Sequence, residues 1–164
     1  MKRNSKGFTL IELLIVVAII GIIVAIAIPN LLNAIQRAKQ RRSMGDIRTT
    51  ATAIEAYAVD LNRYPPAGGY TIPSTVDIGT TLGKISNYVS PTYVKQVPLS
   101  DGWNSWFNGS TDSSGSLYLL ASAGRDGSFS VKGGNSLPGP TTDFNSDIVY
   151  VNGSFVQWPE GVQR

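Results

Sequence analysis

An α+β fold is predicted: a long N-terminal α-helical spine, membrane-spanning in its first half, packed against a small antiparallel β-sheet head with long loops. Three observations predict it. From Phe8 to Ile28 only Thr9 and Glu12 are strongly polar, and a run of that length matches the ~20 helical residues that cross a ~30 Å hydrocarbon layer. Further on, Ile47, Ala51, Ile54, Ala58 and Leu61 recur at alternating four- and three-residue spacing, one face of an amphipathic helix. The last third alternates short apolar runs with Gly- and Asn-containing turns, the pattern of strands joined by hairpins.

The organisation follows from these. Residues 1–7 form a short polar leader carrying Lys2, Arg3 and Lys6, residues 8–29 the hydrophobic helix, residues 30–61 the amphipathic helix and residues 62–164 the head. A helix from Phe8 to Leu61 would measure ~80 Å at ~1.5 Å per residue. Gly21 and Pro29 bracket its weakest part, since glycine is a poor helix former and proline lacks the amide hydrogen and crowds the preceding turn. Tyr64-Pro65-Pro66-Ala67-Gly68-Gly69 ends it.

In the head, Leu82, Ile85 and Val89 are spaced for one short helix, and Arg48, Glu55 and Asp60, opposite the apolar face of the long one, read as solvated or intersubunit positions. Leu117 to Ala123 reads as a strand, Gly124-Arg125-Asp126-Gly127 as a turn, and Phe129 and Val131 as its return. Ile148–Val151 and Ser154–Trp158 flank Asn152-Gly153, the strongest two-residue hairpin signal because both residues tolerate positive φ. Gly109 to Ser116 and Lys132 to Thr142 read as polar loops.

Composition excludes several chemistries. The chain has no cysteine and no histidine, which removes disulfides, thiolate metal sites and the usual general base. Its 14 Lys and Arg exceed its 11 Asp and Glu only by the three basic residues of the leader. The remaining side chains balance, so no footprint for nucleic acid is left. Gly79 to Ile85 has three residues between its glycines, and Ile85 follows Lys84, so it is not a phosphate loop.

The leader ends in Gly7, and Phe8-Thr9-Leu10-Ile11-Glu12 opens the apolar helix. This compound motif resembles the type IV pilin family. The resemblance implies cutting between Gly7 and Phe8 by a prepilin peptidase, methylation of the new Phe8 amine, and packing of the helices into a filament. In staggered helices the amine on one subunit's Phe8 can meet another's Glu12, which would select axial register where apolar surfaces alone slide freely. The resemblance further implies that the Gly21–Pro29 stretch often unwinds in filaments, the alternative being a kink in a continuous helix. It also implies an inner-membrane precursor with its head in the periplasm, then a periplasmic or extracellular polymer. The partners implied are copies of itself, an inner-membrane platform protein, an assembly ATPase and minor pilins or pseudopilins. An ordinary signal peptide cut after Ala25-Ile26-Ala27 and a plain membrane anchor are the competing readings of the same run.

Asp143-Phe144-Asn145-Ser146-Asp147 has the D-x-N-x-D spacing of a calcium loop, yet Ile148 and Ser154 occupy the EF-hand glycine and glutamate positions. Asp143, Asn145 and Asp147, joined by Asp126, offer oxygen ligands for a hard cation. Ser122 to Gly127, Asp143 and Asp147-Ile148, together with Leu61 to Pro65 and Pro98 to Trp103, are similar to the C-terminal region of the major pseudopilins of type II secretion systems. That resemblance implies calcium as the cofactor. The chain departs from it in a longer loop after Asp126 and in Gly102, where the family usually has proline. The expected function is a non-enzymatic filament subunit that drives protein export. The alternatives are a major pilin serving adhesion or motility and, from another class, a secreted sugar-binding or hydrolytic domain. Trp103, Trp106 and Phe107 are the aromatic side chains open to sugar stacking, with packing in the small head core as their expected use.

Overall fold

A computed structural model describes residues 7–66, 69–71, 75–76, 82–112, 114–129 and 139–160, with backbone only at 69–71 and 75–76. Of the leader, residues 1–6 lie outside this description, as do Val131 and most of the loop predicted from Lys132. Contacts divide the chain into two units, Met1–Ile35 and Gln36–Arg164.

Helix α1 (Leu10–Leu61) opens within two residues of the predicted start, ends at the predicted residue and contains Pro29. In the first unit every described residue is exposed.

The second unit holds the core. Ile47, Ala51 and Ile54 are buried as the spacing predicts, and Ala53 and Tyr57 join them. Leu61 does not: it is half exposed, and Ala58 is only partly covered. The buried face instead extends back through Thr50 and Ser43 to Gln40. These polar side chains lie on the core face because local bonds satisfy them: Ser43 Oγ donates to Lys39 O and Thr50 Oγ1 to Asp46 O.

After α1 come β1 (Gly69–Thr71), β2 (Thr75–Val76) and α2 (Gly83–Val89), followed by β3 (Asn108–Asp112) and β4 (Tyr118–Ser122). The chain finishes with β5 (Gly139–Thr141), β6 (Ile148–Val151) and β7 (Ser154–Pro159). They make one seven-stranded sheet of order β2-β1-β3-β4-β6-β7-β5. Helix α2 lies where the Leu82/Ile85/Val89 spacing places it, and all three side chains are buried beside Phe107, Tyr118, Leu120 and Ile148.

Two expectations about the sheet are corrected. It is mixed, because β1 pairs parallel with β3 and β5 with β7. β4, the strand predicted over Leu117 to Ala123, has no return strand at Phe129 among the described residues. β4 pairs instead with β3 on one side and β6 on the other. β3 reads Asn-Gly-Ser-Thr-Asp, a sequence with little intrinsic strand preference, and from Gly109 on it falls in the stretch predicted as a loop. Long-range pairing overrides that preference. The connection is set by Asp112, whose carboxylate accepts from Ser116 N at 2.6 Å, Leu117 N at 3.0 Å and the Ser114 hydroxyl. Burial alone would raise its pKa, but the bonds from Ser114, Leu117, Ser116 and Gly115 together hold it below the usual value.

The β6–β7 hairpin forms as predicted, with Asn152 at φ 44° and Gly153 at φ 90°. Asn152 Oδ1 also accepts from Tyr118 N at 2.9 Å, tying the turn to β4.

Candidate assembly and cation-binding sites

At the N-terminus, Thr9 and Glu12 form a reciprocal cap on α1. Thr9 N and Oγ1 donate to Glu12 Oε2 at 2.9 and 2.7 Å, and Glu12 N donates back to Thr9 Oγ1 at 3.3 Å. This is a capping box, in which the first turn's orphan amides find side-chain acceptors. The T-x-x-E spacing of Thr9 and Glu12 carries that signal in the sequence. Phe8 is 75% exposed beside it. Gly21 and Pro29 both lie inside α1, which is helical through the stretch between them.

Of the residues expected on the solvated side of α1, Arg48 is exposed and stacks its guanidinium 5.2 Å from the Phe155 ring centroid. Asp60 is exposed and accepts from Tyr93 OH at 2.8 Å. Glu55 departs from the expectation. It is half-buried and accepts from Tyr118 OH at 2.9 Å and from Tyr64 OH at 3.2 Å. Burial first, then the bond to Glu55 and its charge, push the Tyr118 phenol far above its ordinary pKa. Glu55 thus holds the helix to β4 and to the segment that follows α1. No spacing rule could link residues 63 positions apart.

The loop between α2 and β3 clasps α1. Asp101 is buried and accepts from Trp103 N and Ser105 N at 2.9 Å and from Ser122 Oγ at 2.7 Å. Gly102 N donates to Ser43 Oγ at 2.9 Å, and Trp103 Nε1 to Gln36 Oε1 at 2.6 Å. A Cβ on Gly102 would stand 2.8 Å from the backbone carbon of Lys39. Phe107 enters the core as expected, whereas Trp106 is 62% exposed and does not.

The residues expected to hold a cation lie on two adjacent segments, the turn after β4 and the loop before β6. Arg125 N donates to Phe144 O at 2.9 Å, and Arg125 Nε to Asn145 Oδ1 at 2.9 Å. Gly124 adopts φ +68°, and the carbonyl oxygens of Phe144, Asn145 and Ser146 stand within 3.0 Å of where its Cβ would be. Asp126 Oδ1 accepts from Ser128 N and Asp143 Oδ1 from Asn145 N, both at 3.0 Å, while Asp147 is fully buried. Carboxylate, amide and carbonyl oxygens are the donors a hard cation takes, but here Asp126 and Asp143 cap turns and Asn145 Oδ1 accepts from the Arg125 guanidinium. Among the described residues no three acidic side chains already converge as a cage.

Comparison with known proteins bears on the N-terminal motif and on the stretch that follows it through residue 137. A family model described as the prokaryotic N-terminal methylation motif matches residues 2–28, and one described as type II secretion system (T2SS), protein G, matches residues 30–137. A type II secretion system core protein G of Dickeya chrysanthemi is 29% identical over 80% of this chain and 77% of its own length. Proteins of the same name from Escherichia coli K12 and Pseudomonas aeruginosa are each 30% identical, over 76% and 77% of this chain and 84% and 89% of their own. No solved structure matches. With most of its length covered by that family's model, the chain belongs to the type II secretion system protein G family.

Proposed function

We propose that this protein is the major pseudopilin of a type II secretion system, a structural subunit rather than a catalyst, whose copies polymerise into a pilus-like filament that drives protein export. One observation carries the reading. Every described residue from Gly7 to Ile35 is exposed, including the large apolar side chains from Phe8 through Ile35. Soluble monomers rarely expose a contiguous apolar patch beyond a few hundred Å². Such a surface calls for lipid before assembly and for neighbouring copies after it.

The precursor on this reading sits in the inner membrane with its head in the periplasm. A prepilin peptidase cuts after Gly7, and Phe8 is methylated. Glu12 then meets the Phe8 amine of an adjoining copy, and the Gly21–Pro29 stretch unwinds as the helices pack. Platform protein, assembly ATPase and minor pseudopilins are the partners, and no nucleic acid takes part. Asp126, Asp143, Asn145 and Asp147 hold calcium, which would pin the loop after β5 to the turn after β4.

Mass spectrometry of the membrane-extracted chain together with electron microscopy of sheared filaments tests the proposal. The expected product begins at methylated Phe8 and forms filaments that Glu12→Ala abolishes. A product beginning at Met1 or after Ala27, or filaments indifferent to Glu12→Ala, refutes it. Calcium is tested separately by thermal melts: absence of stabilisation by calcium, with no loss on chelation, removes the cation site and leaves the filament reading intact.

A further inference from the structure

Between Leu13 and Gly45 the chain has no acidic residue, and its four cations, Arg37, Lys39, Arg41 and Arg42, fall within six positions of one another. They begin immediately after the exposed apolar surface ends. Leu31, Leu32 and Ile35 are 61%, 54% and 44% exposed, so that surface runs past Pro29 to the residue before Gln36. The uncharged stretch Leu13–Gln36 has a contour of ~36 Å at ~1.5 Å per residue. That exceeds the ~30 Å hydrocarbon core but falls short of the ~40–45 Å bilayer with its headgroups. With Glu12 in one headgroup layer, chain connectivity brings Arg37 into the other.

The head adds aromatic side chains at the same place. Trp103 donates its indole hydrogen to Gln36, next in sequence to Ile35. Trp106, 62% exposed, lines an open groove of about 630 Å³ together with Arg42. Arg41 is exposed, and the Arg42 side chain is 68% exposed although its Nε lies 3.5 Å from Asp46 Oδ2. Asp101, the other carboxylate of this region, is buried and turned to Trp103 N, Ser105 N and Ser122 Oγ. Indole rings beside Lys and Arg are the composition of a membrane–water interface anchor, and clustered cations next to a span favour anionic lipid.

We propose that Arg37, Lys39, Arg41 and Arg42, with Trp103 and Trp106, form a collar that docks on anionic phospholipid headgroups of the leaflet on the head side of the span. The inference rests on the membrane-anchored reading of α1. The collar holds the head against the bilayer before assembly, and extraction into a filament must detach it.

The test uses the full chain carrying Trp158→Phe, so that only the collar tryptophans fluoresce, inserted one copy per nanodisc with a headgroup-linked quencher. Discs are made of phosphatidylcholine alone or doped with phosphatidylglycerol. Quenching at least about twofold stronger in the anionic discs is expected, falling to the zwitterionic level near 1 M salt, where the screening length shrinks to ~3 Å. Arg41→Gln with Arg42→Gln should abolish the difference, and Arg41→Lys with Arg42→Lys should retain it. Equal quenching in the two lipids overturns the proposal, as does quenching indifferent to salt. Should the Gln variant lose its head fold by near-ultraviolet dichroism, the wild-type salt series decides alone. A lipid dependence seen only with two copies per disc would assign the collar to a second copy and overturn lipid docking. Insertion with lipid-independent quenching refutes the collar only, whereas failure to enter either disc refutes the membrane anchor as well.

Discussion

Replacing Gly102 tests the clasp between the head and α1 most directly. A methyl group there meets the backbone of Lys39, its carbonyl oxygen, carbon and Cα, with the carbon at 2.8 Å. Backbone inside a helix cannot rotate away as a side-chain tip can, so Gly102→Ala must displace the whole loop. Overpacking of this kind costs ~1–3 kcal/mol. Gly102→Pro adds a second loss, because the amide that donates to Ser43 Oγ at 2.9 Å disappears. A neutral hydrogen bond contributes ~0.5–1.5 kcal/mol net, so proline should be worse than alanine by about that amount. At ~4 °C per kcal/mol for a head of this size, alanine should lower Tm by ~4–12 °C.

Thermal denaturation of the full chain in detergent micelles reads these shifts, and a double-mutant cycle with Ser43→Ala isolates the bond. In the Gly102→Pro background Ser43→Ala should cost measurably less than in wild type, since its partner is already gone. An alanine variant melting within about 1 °C of wild type would refute the close approach. Strictly additive Ser43→Ala and Gly102→Pro effects would refute the bond.

Tyr118→Phe removes the bond to Glu55 and should destabilise the head by ~1.5–3 kcal/mol, the range for a bond to a charged group, measured by urea denaturation. The folded pKa of Tyr118 is raised, so its contribution is complete below the unfolded phenol value near 10 and is lost as pH rises beyond it. Wild-type stability should therefore fall above about pH 10 more steeply than that of Tyr118→Phe. Gly153→Val places a β-branched residue at φ 90°, and a cost of at least ~1–2 kcal/mol is expected in the same denaturation experiment.

What the sequence shows and hides follows one physical line. Local signals survive: Asn152-Gly153 forms its hairpin because the two positive φ values are a property of those residues themselves. Leu82, Ile85 and Val89 form α2 because their spacing alone makes a face. Signals that need a distant partner do not survive. Ser110 and Thr111 of β3 are buried although nothing in Asn-Gly-Ser-Thr-Asp alternates in polarity, since this strand takes its place from β1 and β4 on either side. Glu55 reads as a solvated charge until Tyr64 and Tyr118 are brought to it. At the candidate cation site the order is reversed. The oxygen-bearing residues are visible in sequence, but the carbonyls of Phe144, Asn145 and Ser146 around Gly124 come from backbone conformation, which the D-x-N-x-D spacing does not specify.

Glu12 caps α1, and the pairing with a neighbouring copy proposed for it is compatible with that cap and separable from it. Both bonds from Thr9 land on Oε2, and a carboxylate offers about four acceptor positions, so the cap need not break for the same group to meet a cation from a neighbouring copy. Glu12→Gln keeps an acceptor for Thr9, since glutamine also closes a capping box, but removes the charge. Thr9→Val keeps the charge and removes the hydroxyl. If the charge is what assembly uses, Glu12→Gln abolishes filaments while circular dichroism and amide exchange at the start of α1 stay at wild-type values. Thr9→Val then frays the first turn and still assembles. Loss of filaments in Thr9→Val, with Glu12→Gln assembling normally, would show that the family motif preserves a helix start and not an ion pair between copies.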